Sequence, residues 1–208
     1  MAIQRIQLTP HTDQTPAVVE VERELSGAQW CTRYRGSKDV SSLRPSFQLH
    51  VSDFISAIEQ AGGHVVRNAT FRPPERAYLM EWCWMLTHGK VEPNKVPSRD
   101  GVPINWVHPT REKCIEAARE MVHAYDMTGL RTKPAGAMSL HCVGEAIDMN
   151  VEWRGNLNIQ DDHGNVIEIA SDPQDGMNAE LAKVGASYGV IKFHGGASDR
   201  PHWSTNGK

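Results

Sequence analysis

The stretch spanning residues 139–151 constrains the fold of this chain more than any other part of its sequence. Its second half alternates between apolar and polar residues, and this period of two predicts a β-strand over residues 146–151. The apolar members of that strand are expected to face a core, which leaves Asp148 on the opposite face, within reach of water or a ligand. His141 precedes Asp148 by seven residues, and a turn through Gly144 is expected to fold its imidazole back beside the carboxylate.

A third candidate ligand, His202, stands near the end of the chain. Imidazole nitrogens and carboxylate oxygens are common zinc ligands, and three protein ligands leave one coordination position open, as in catalytic sites. Asp199 lies three residues before His202. It is expected to stand beside the metal without binding it and to accept a proton from water. Cys142 adjoins His141 and is an alternative metal ligand, although two histidines and a carboxylate already complete a site.

These residues form the pattern Ser-x-His-x-x-Gly-x-Ala-x-Asp, followed near the end of the chain by Asp-x-x-His. The pattern resembles that of the M15 zinc peptidases, also called LAS enzymes, which include D-Ala-D-Ala carboxypeptidases and dipeptidases and phage L-alanyl-D-glutamate endopeptidases. The resemblance covers residues 41–204. It implies a zinc peptidase domain over residues 41–208, preceded by an N-terminal arm or extension over residues 1–40. The positions that carry the pattern are Ser139, His141, Gly144, Ala146, Asp148, Asp199 and His202.

The resemblance also implies a role for each candidate residue. Zn²⁺ would be held by His141, Asp148 and His202, with Asp199 as the catalytic base. Arg72, between a predicted strand and a predicted helix, would bind substrate or stabilise the oxyanion, and Ser139 would hydrogen-bond a substrate or a ligand.

Ordinary structural roles compete with these functional roles. They are a core position for His141, a turn cap for Asp199 and an exposed side chain for Arg72. Some relatives carry a second histidine two residues before the catalytic carboxylate, where this chain has Ala197, so the role of His194 is left open.

The implied substrate is a peptidoglycan stem peptide, cut at an amide bond next to a D-amino acid. Asp rather than Glu at position 199, together with the absence of a visible signal peptide, favours the phage endolysin branch. The alternative within the family is a D-Ala-D-Ala carboxypeptidase or dipeptidase. Two further classes stay open: a non-catalytic, zinc-containing binding module, and a phage structural protein that uses its N-terminal arm for docking.

Composition restricts the partners and the location. The net charge of −3 and the scattered basic residues give no reason to expect nucleic acid binding. No apolar run approaches the roughly 20 residues of a membrane span. The first residues lack the apolar core of a secretory signal, which predicts synthesis in a cytoplasm and action on the cell wall after phage-mediated release. The four cysteines form no Cys-x-x-Cys motif, and the sequence specifies no oligomeric state.

Periodicity and capping signals predict an α+β domain in which early helices pack on a small, mostly antiparallel sheet that carries the zinc site, as in LAS and hedgehog-type peptidases. The predicted helices span residues 52–61, 111–127 and 178–184, and a further helix starts within residues 72–76 and is stopped by Gly89. The predicted strands span residues 18–24, 64–71, 146–151, 166–169 and 188–193.

Overall fold

A computed structural model describes residues 22–208 of the chain as a mixed helix-plus-sheet fold, which confirms the α+β prediction. The helices are α1 (Pro45–Gln60), α2 (Pro74–Thr87), α3 (Arg111–Ala124) and α4 (Ala179–Ser187). The strands are β1 (Glu24–Leu25), β2 (His64–Ala69), β3 (Ile104–Asn105), β4 (Ala146–Glu152), β5 (Leu157–Gln160), β6 (Val166–Ile169), β7 (Ile191–Lys192) and β8 (His202–Ser204). Across residues 22–208, no helix is long and apolar enough to span a membrane.

The main sheet has four strands in the order β2-β4-β8-β7, and every neighbouring pair in it is antiparallel. Strands β5 and β6 form a separate antiparallel hairpin, while β1 and β3 form a short parallel pair. The prediction of a mostly antiparallel sheet is therefore confirmed. Because β4 and β8 are the two inner strands of the main sheet, each pairs with a neighbouring strand on both sides.

One face of the main sheet is buried in an apolar core. Ile147, Met149 and Val151 alternate along β4 and point into this core, as their period of two predicts. Helix α1 covers the same face, and the ring of its Phe54 meets that of Trp203 edge to face at 5.4 Å between centroids. Packing on this side leaves the opposite face of β4 and β8 free to carry polar groups.

Helices α2 and α3 pack together over a second apolar cluster. Trp30 is fully buried in this cluster, and Trp106 donates its indole N–H to the Tyr78 hydroxyl at 3.0 Å. Cys83 and Cys114 are buried on these helices as free thiols, where each packs as a small apolar residue.

Part of the predicted N-terminal arm is packed against the rest of the chain. Strand β1 pairs with β3, and Ser37 forms a bridge to Phe71 just beyond β2. Residues 1–21, which include most of the predicted strand 18–24, lie outside the described residues; the described part of that strand is replaced by Glu24–Leu25. The boundary at residue 41 stays a prediction, but residues 22–40 contribute a buried tryptophan and backbone pairing to the fold.

Several element boundaries differ from the predictions: α3 ends at Ala124 instead of residue 127, β2 at Ala69 instead of residue 71, and α4 at Ser187 instead of residue 184. Helix α1 begins at Pro45, not at Ser52, because a proline at the first helical position starts it and Phe47 and Val51 continue its buried face. The last predicted strand is reduced to Ile191–Lys192, because Tyr188 caps α4 and Gly189 turns the chain with φ of +76°. The predicted start of α4 at residue 178 is confirmed, since the Asn178 side chain caps the helix by accepting hydrogen bonds from two backbone N–H groups of its first turn.

Candidate metal centre

Strand register brings two of the three predicted ligands together. Asp148 in β4 lies directly opposite His202 in β8, and directly opposed residues of an antiparallel pair point to the same face with Cβ atoms roughly 4.5–5.5 Å apart. On the other side of β4, Ala69 pairs with Asp148 after an irregularity in β2 that follows Arg67. Such irregularities re-aim the chain next to functional sites. Here the irregularity brings the end of β2 beside the Asp148 carboxylate.

The third predicted ligand, His141, lies in a short 3-10 turn, Leu140–Val143. The hydroxyl of Ser139 accepts a hydrogen bond from the backbone N–H of His141 at 3.4 Å and so caps the turn. Gly144 ends the turn with φ of +70°, and a Cβ atom there would lie 2.8 Å from the backbone nitrogen of Arg44. Only glycine suits this position, because both its backbone conformation and the close approach of Arg44 exclude a side chain. The turn through Gly144 is confirmed.

The three side chains converge on one point. The Oδ1 atom of Asp148 is 3.2 Å from Nε2 of His141 and 3.1 Å from Nδ1 of His202. One ligand atom from each residue lies within 4.8 Å of the other two. Ligand atoms roughly 2.0–2.1 Å from a tetrahedral zinc ion are about 3.3 Å from one another, so the two shorter distances fit a shared ion with little rearrangement. This group could hold a metal ion.

Both imidazoles are oriented from behind by backbone carbonyl groups. Nδ1 of His141 lies 3.3 Å from the carbonyl oxygen of Thr70, and Nε2 of His202 lies 3.1 Å from that of Lys208. A carbonyl oxygen can only accept, so the outer nitrogen of each ring carries the hydrogen and the inner nitrogen turns a lone pair towards Asp148. Two lone pairs and a carboxylate around one point repel each other unless a cation or a proton lies between them. The donor set therefore fits a divalent metal ion.

The electrostatics of Asp148 suit an anionic ligand. Burial by itself would raise the pKa of this carboxyl, but in the metal-free protein with both imidazoles protonated, their hydrogen bonds to Asp148 and their positive charge outweigh burial and hold the pKa well below its ordinary value. The carboxylate consequently stays ionised through the whole physiological pH range.

Asp199, Arg72 and Ser139 line the same cavity as the three ligands, which has a volume of about 790 Å³. The guanidinium of Arg72 has no carboxylate within salt-bridge distance among residues 22–208, while its backbone N–H donates to the His141 carbonyl at 3.1 Å. Ser139 faces the cavity, but its hydroxyl already caps the turn that carries His141. The lining of the cavity also includes the apolar residues Met80, Met127, Leu130, Met138 and Phe193.

Asp199 lines this cavity and is exposed to solvent. Partial burial and the negative charge of Asp148 raise the pKa of its carboxyl, while the two histidines and Lys192 act in the opposite direction. Lys192 is itself notable, because burial lowers the pKa of its ammonium group to about 8. Its Nζ lies 4.5 Å from the centre of the Trp203 ring and donates to the Arg200 carbonyl. The loop that carries Asp199 is therefore held by Lys192.

Cys142, the alternative ligand, and His194, whose role the sequence left open, both lie outside the ligand group. Cys142 is buried, and burial raises the pKa of its thiol, which disfavours the thiolate that a metal requires. His194 stands on the loop before Asp199, where its backbone N–H donates to the Gly207 carbonyl at 2.9 Å. In the described part of the chain, the ligand group consists of His141, Asp148 and His202 alone.

No protein-family model and no curated protein matches the chain. The geometry of the site is therefore the basis on which its chemistry is interpreted.

Sequence reasoning did not find three contributors to the site. The carbonyl groups of Thr70 and Lys208 act through the backbone, for which side-chain patterns carry no signal. Lys192 could have been suspected only from its place beside Phe193 in a strand that leads towards Asp199. A lone lysine in such a strand is usually an edge residue facing solvent.

Proposed function

We propose that this chain is a zinc-dependent hydrolase that cuts an amide bond next to a D-amino acid in peptidoglycan stem peptides, in the manner of a phage endolysin. The observation that supports it best is the convergence of His141, Asp148 and His202 in a cavity that also holds Asp199 and Arg72. The choice of substrate rests on the resemblance of the sequence motif to M15 peptidases. Cleavage of terminal D-Ala-D-Ala by the same site is the alternative within this proposal.

Each residue has a defined task in this reaction. When bound, a zinc ion supplies a Lewis acid that makes water more acidic and polarises the scissile carbonyl group. Asp199 takes a proton from the attacking water and later delivers it to the leaving amine as the C–N bond breaks. The free guanidinium of Arg72 stabilises negative charge, either on the substrate carboxylate or on the carbonyl oxygen during attack. The raised pKa of the Asp199 carboxyl favours this proton transfer, because a group both accepts and releases protons best when its pKa is closer to the working pH.

The test is digestion of purified peptidoglycan, with the released fragments identified by mass spectrometry. We expect new amine and carboxylate ends at a bond beside a D-amino acid, loss of activity with a chelator, and recovery on addition of zinc. Fragment masses also distinguish L-Ala-D-Glu cleavage from removal of a terminal D-Ala. A chain that binds zinc yet releases no fragment from any wall type would contradict the hydrolase and favour a binding module.

Asp199→Asn separates catalysis from metal binding. Loss of the proton shuttle is expected to lower the rate roughly 10²–10⁴-fold while zinc affinity stays close to that of the unmodified protein. Asp162→Asn is the matched control, since it makes the same change at an exposed carboxylate in the turn between β5 and β6. Equal activity of Asp199→Asn and the control would show that Asp199 takes no part in the reaction.

A further inference from the structure

The last residues of the described chain form a tight turn that is tied to β8. The hydroxyl of Ser204, which is fully buried, accepts from the backbone N–H of Gly207 at 3.0 Å and donates to the carbonyl of Lys208 at 3.3 Å. The Lys208 N–H in turn donates to the Asn206 side chain at 3.0 Å. These hydrogen bonds fix the direction in which the Lys208 carbonyl points.

The loop that carries His194 packs against the same turn. The backbone N–H of His194 donates to the Gly207 carbonyl, and the His194 imidazole lies against the Gly207 backbone. Gly207 has φ of +72°, and a Cβ atom at this position would come within 2.5 Å of Nε2 of His194. The left-handed backbone favours glycine here, and a Cβ atom would also require the exposed His194 ring to move aside. His194 thus supports the turn from outside the group of metal ligands.

The turn places the carbonyl oxygen of Lys208 at a distance of 3.1 Å from Nε2 of His202. Because this oxygen can only accept, it selects the imidazole form that carries its hydrogen on Nε2 and leaves Nδ1 free to face Asp148. His141 is fixed the opposite way round, with Nδ1 bonded to Thr70 and Nε2 facing Asp148. The two histidines consequently present different nitrogens to the same point.

We infer that the Ser204–Lys208 turn, held by His194, is a positioning element that sets the tautomer and orientation of His202 for metal binding. This inference rests on the metal site of the proposed function. Groups that hydrogen-bond to metal-ligating histidines usually change metal affinity by about 10–100-fold when they are lost. None of the residues in the turn needs to touch the metal or a substrate for this effect.

The experiment measures zinc affinity by competition with a chromophoric chelator, in Gly207→Ala and Ser204→Ala variants of the full chain. Each folded variant is expected to bind zinc roughly 10–100-fold more weakly than the unmodified protein. Gly155→Ala is the matched control: Gly155 has φ of +70°, nothing within 4 Å of an added Cβ atom, and a place in an exposed turn remote from the site. Its zinc affinity should stay within about twofold of the starting value, although it carries the same backbone strain.

A spectroscopic readout tests the tautomer directly. Long-range ¹H–¹⁵N correlation of the imidazole rings in the unmodified protein should show His202 with its hydrogen on Nε2 and His141 with its hydrogen on Nδ1. This measurement decides the matter even if Gly207→Ala does not fold. Support requires the Nε2–H signature of His202 together with weaker zinc binding in a folded variant. A hydrogen on Nδ1 of His202, or unchanged affinity in every folded variant, would overturn the inference.

Failure of the proposed function gives a different pattern. If the unmodified protein binds no zinc, the metal site itself is wrong, whereas the imidazole spectra at pH 8 still report whether the turn selects the Nε2–H form. If zinc binds and the turn variants lose affinity while no peptide is cleaved, the positioning role stands and the hydrolase does not.

Discussion

Lys192 illustrates how one residue can tune a site that it does not enter. Its side chain covers Trp203 and reaches the carbonyl of Arg200, which adjoins Asp199. Its positive charge lowers the pKa of the Asp199 carboxyl and so opposes the effect of partial burial. The ammonium group is itself partly desolvated, which explains why its pKa falls to about 8.

Removing this charge should shift the pH profile of the reaction. In Lys192→Met, the pKa of Asp199 rises further, so a larger share of the base is protonated at a given acidic pH. The acidic limb of kcat/KM is therefore expected to move to higher pH, by less than about one unit. Lys192→Arg keeps the charge and serves as the control, with its limb close to the original. A limb that stays in place in both variants would show that Lys192 does not act on Asp199.

At the scale of elements, the site depends on the junction between the 3-10 turn Leu140–Val143 and strand β4. The junction is Gly144, whose carbonyl accepts from the N–H of Arg44 at 2.9 Å, at the start of α1. Helix α1, the turn and β4 thus meet at a single glycine. A disturbance there is transmitted both to the packing of α1 and to the direction of His141.

Gly144→Ala is expected to be costly for that reason. A left-handed alanine costs about 1–2 kcal/mol, and the collision with the Arg44 backbone adds about 1–3 kcal/mol of overpacking strain. Urea unfolding of the metal-free protein should therefore show a free energy of unfolding lower by about 2–5 kcal/mol. Gly155→Ala, with the same φ of +70° and open space around it, should lose only the first of these amounts. Equal losses in the two variants would mean that the contact with Arg44 has no role.

Elements with strong local signals could be predicted from the sequence, and long-range packing could not. The alternation of β4, the Asn178 cap and the Gly144 turn are local patterns, and each is present in the structure. The start of α1 could not be predicted, because the polar residues around Pro45 are typical of a loop. The burial of Phe47 and Val51, which extends the helix, depends on tertiary packing. Likewise, Trp30 falls in the predicted N-terminal arm or extension, because the helices that bury it lie far along the chain.

The candidate site likewise has a part that the sequence predicts and a part that it does not. Its side-chain ligands are visible in the spacing of His141, Asp148 and His202, because zinc chemistry restricts the residue types that can serve. Their convergence depends on strand register, which places Asp148 opposite His202. The carbonyl groups behind the histidines belong to Thr70 and Lys208, and any residue type can supply a carbonyl group.

At the scale of the whole molecule, metal binding and folding should be coupled. The three ligands come from a turn and two strands that are assembled only in the folded chain, so a metal ion that binds them stabilises the fold. In the metal-free protein, the low pKa of Asp148 contributes stability that is present above about pH 4 and is lost as the pH falls towards that lowered value. The two effects therefore act in different pH ranges.

Thermal unfolding with and without zinc tests this coupling. At a zinc concentration 100 times Kd, the fold should gain about 2.7 kcal/mol, which corresponds to a rise in Tm of roughly 5–11 °C for a chain of this size. Protons compete with the metal for the imidazoles, so the rise should shrink as the pH is lowered towards 5. His202→Ala is expected to abolish the rise at every pH. A zinc-induced rise that persists in this variant would place the ion elsewhere.

The most direct test of the metal centre is an anomalous difference map from crystals grown with zinc, with data collected at the zinc absorption edge. We predict a single strong peak roughly 2.0–2.1 Å from Nε2 of His141, an oxygen of Asp148 and Nδ1 of His202. A map with no peak among these three residues, or with His202 turned away from Asp148, would contradict the shared metal site.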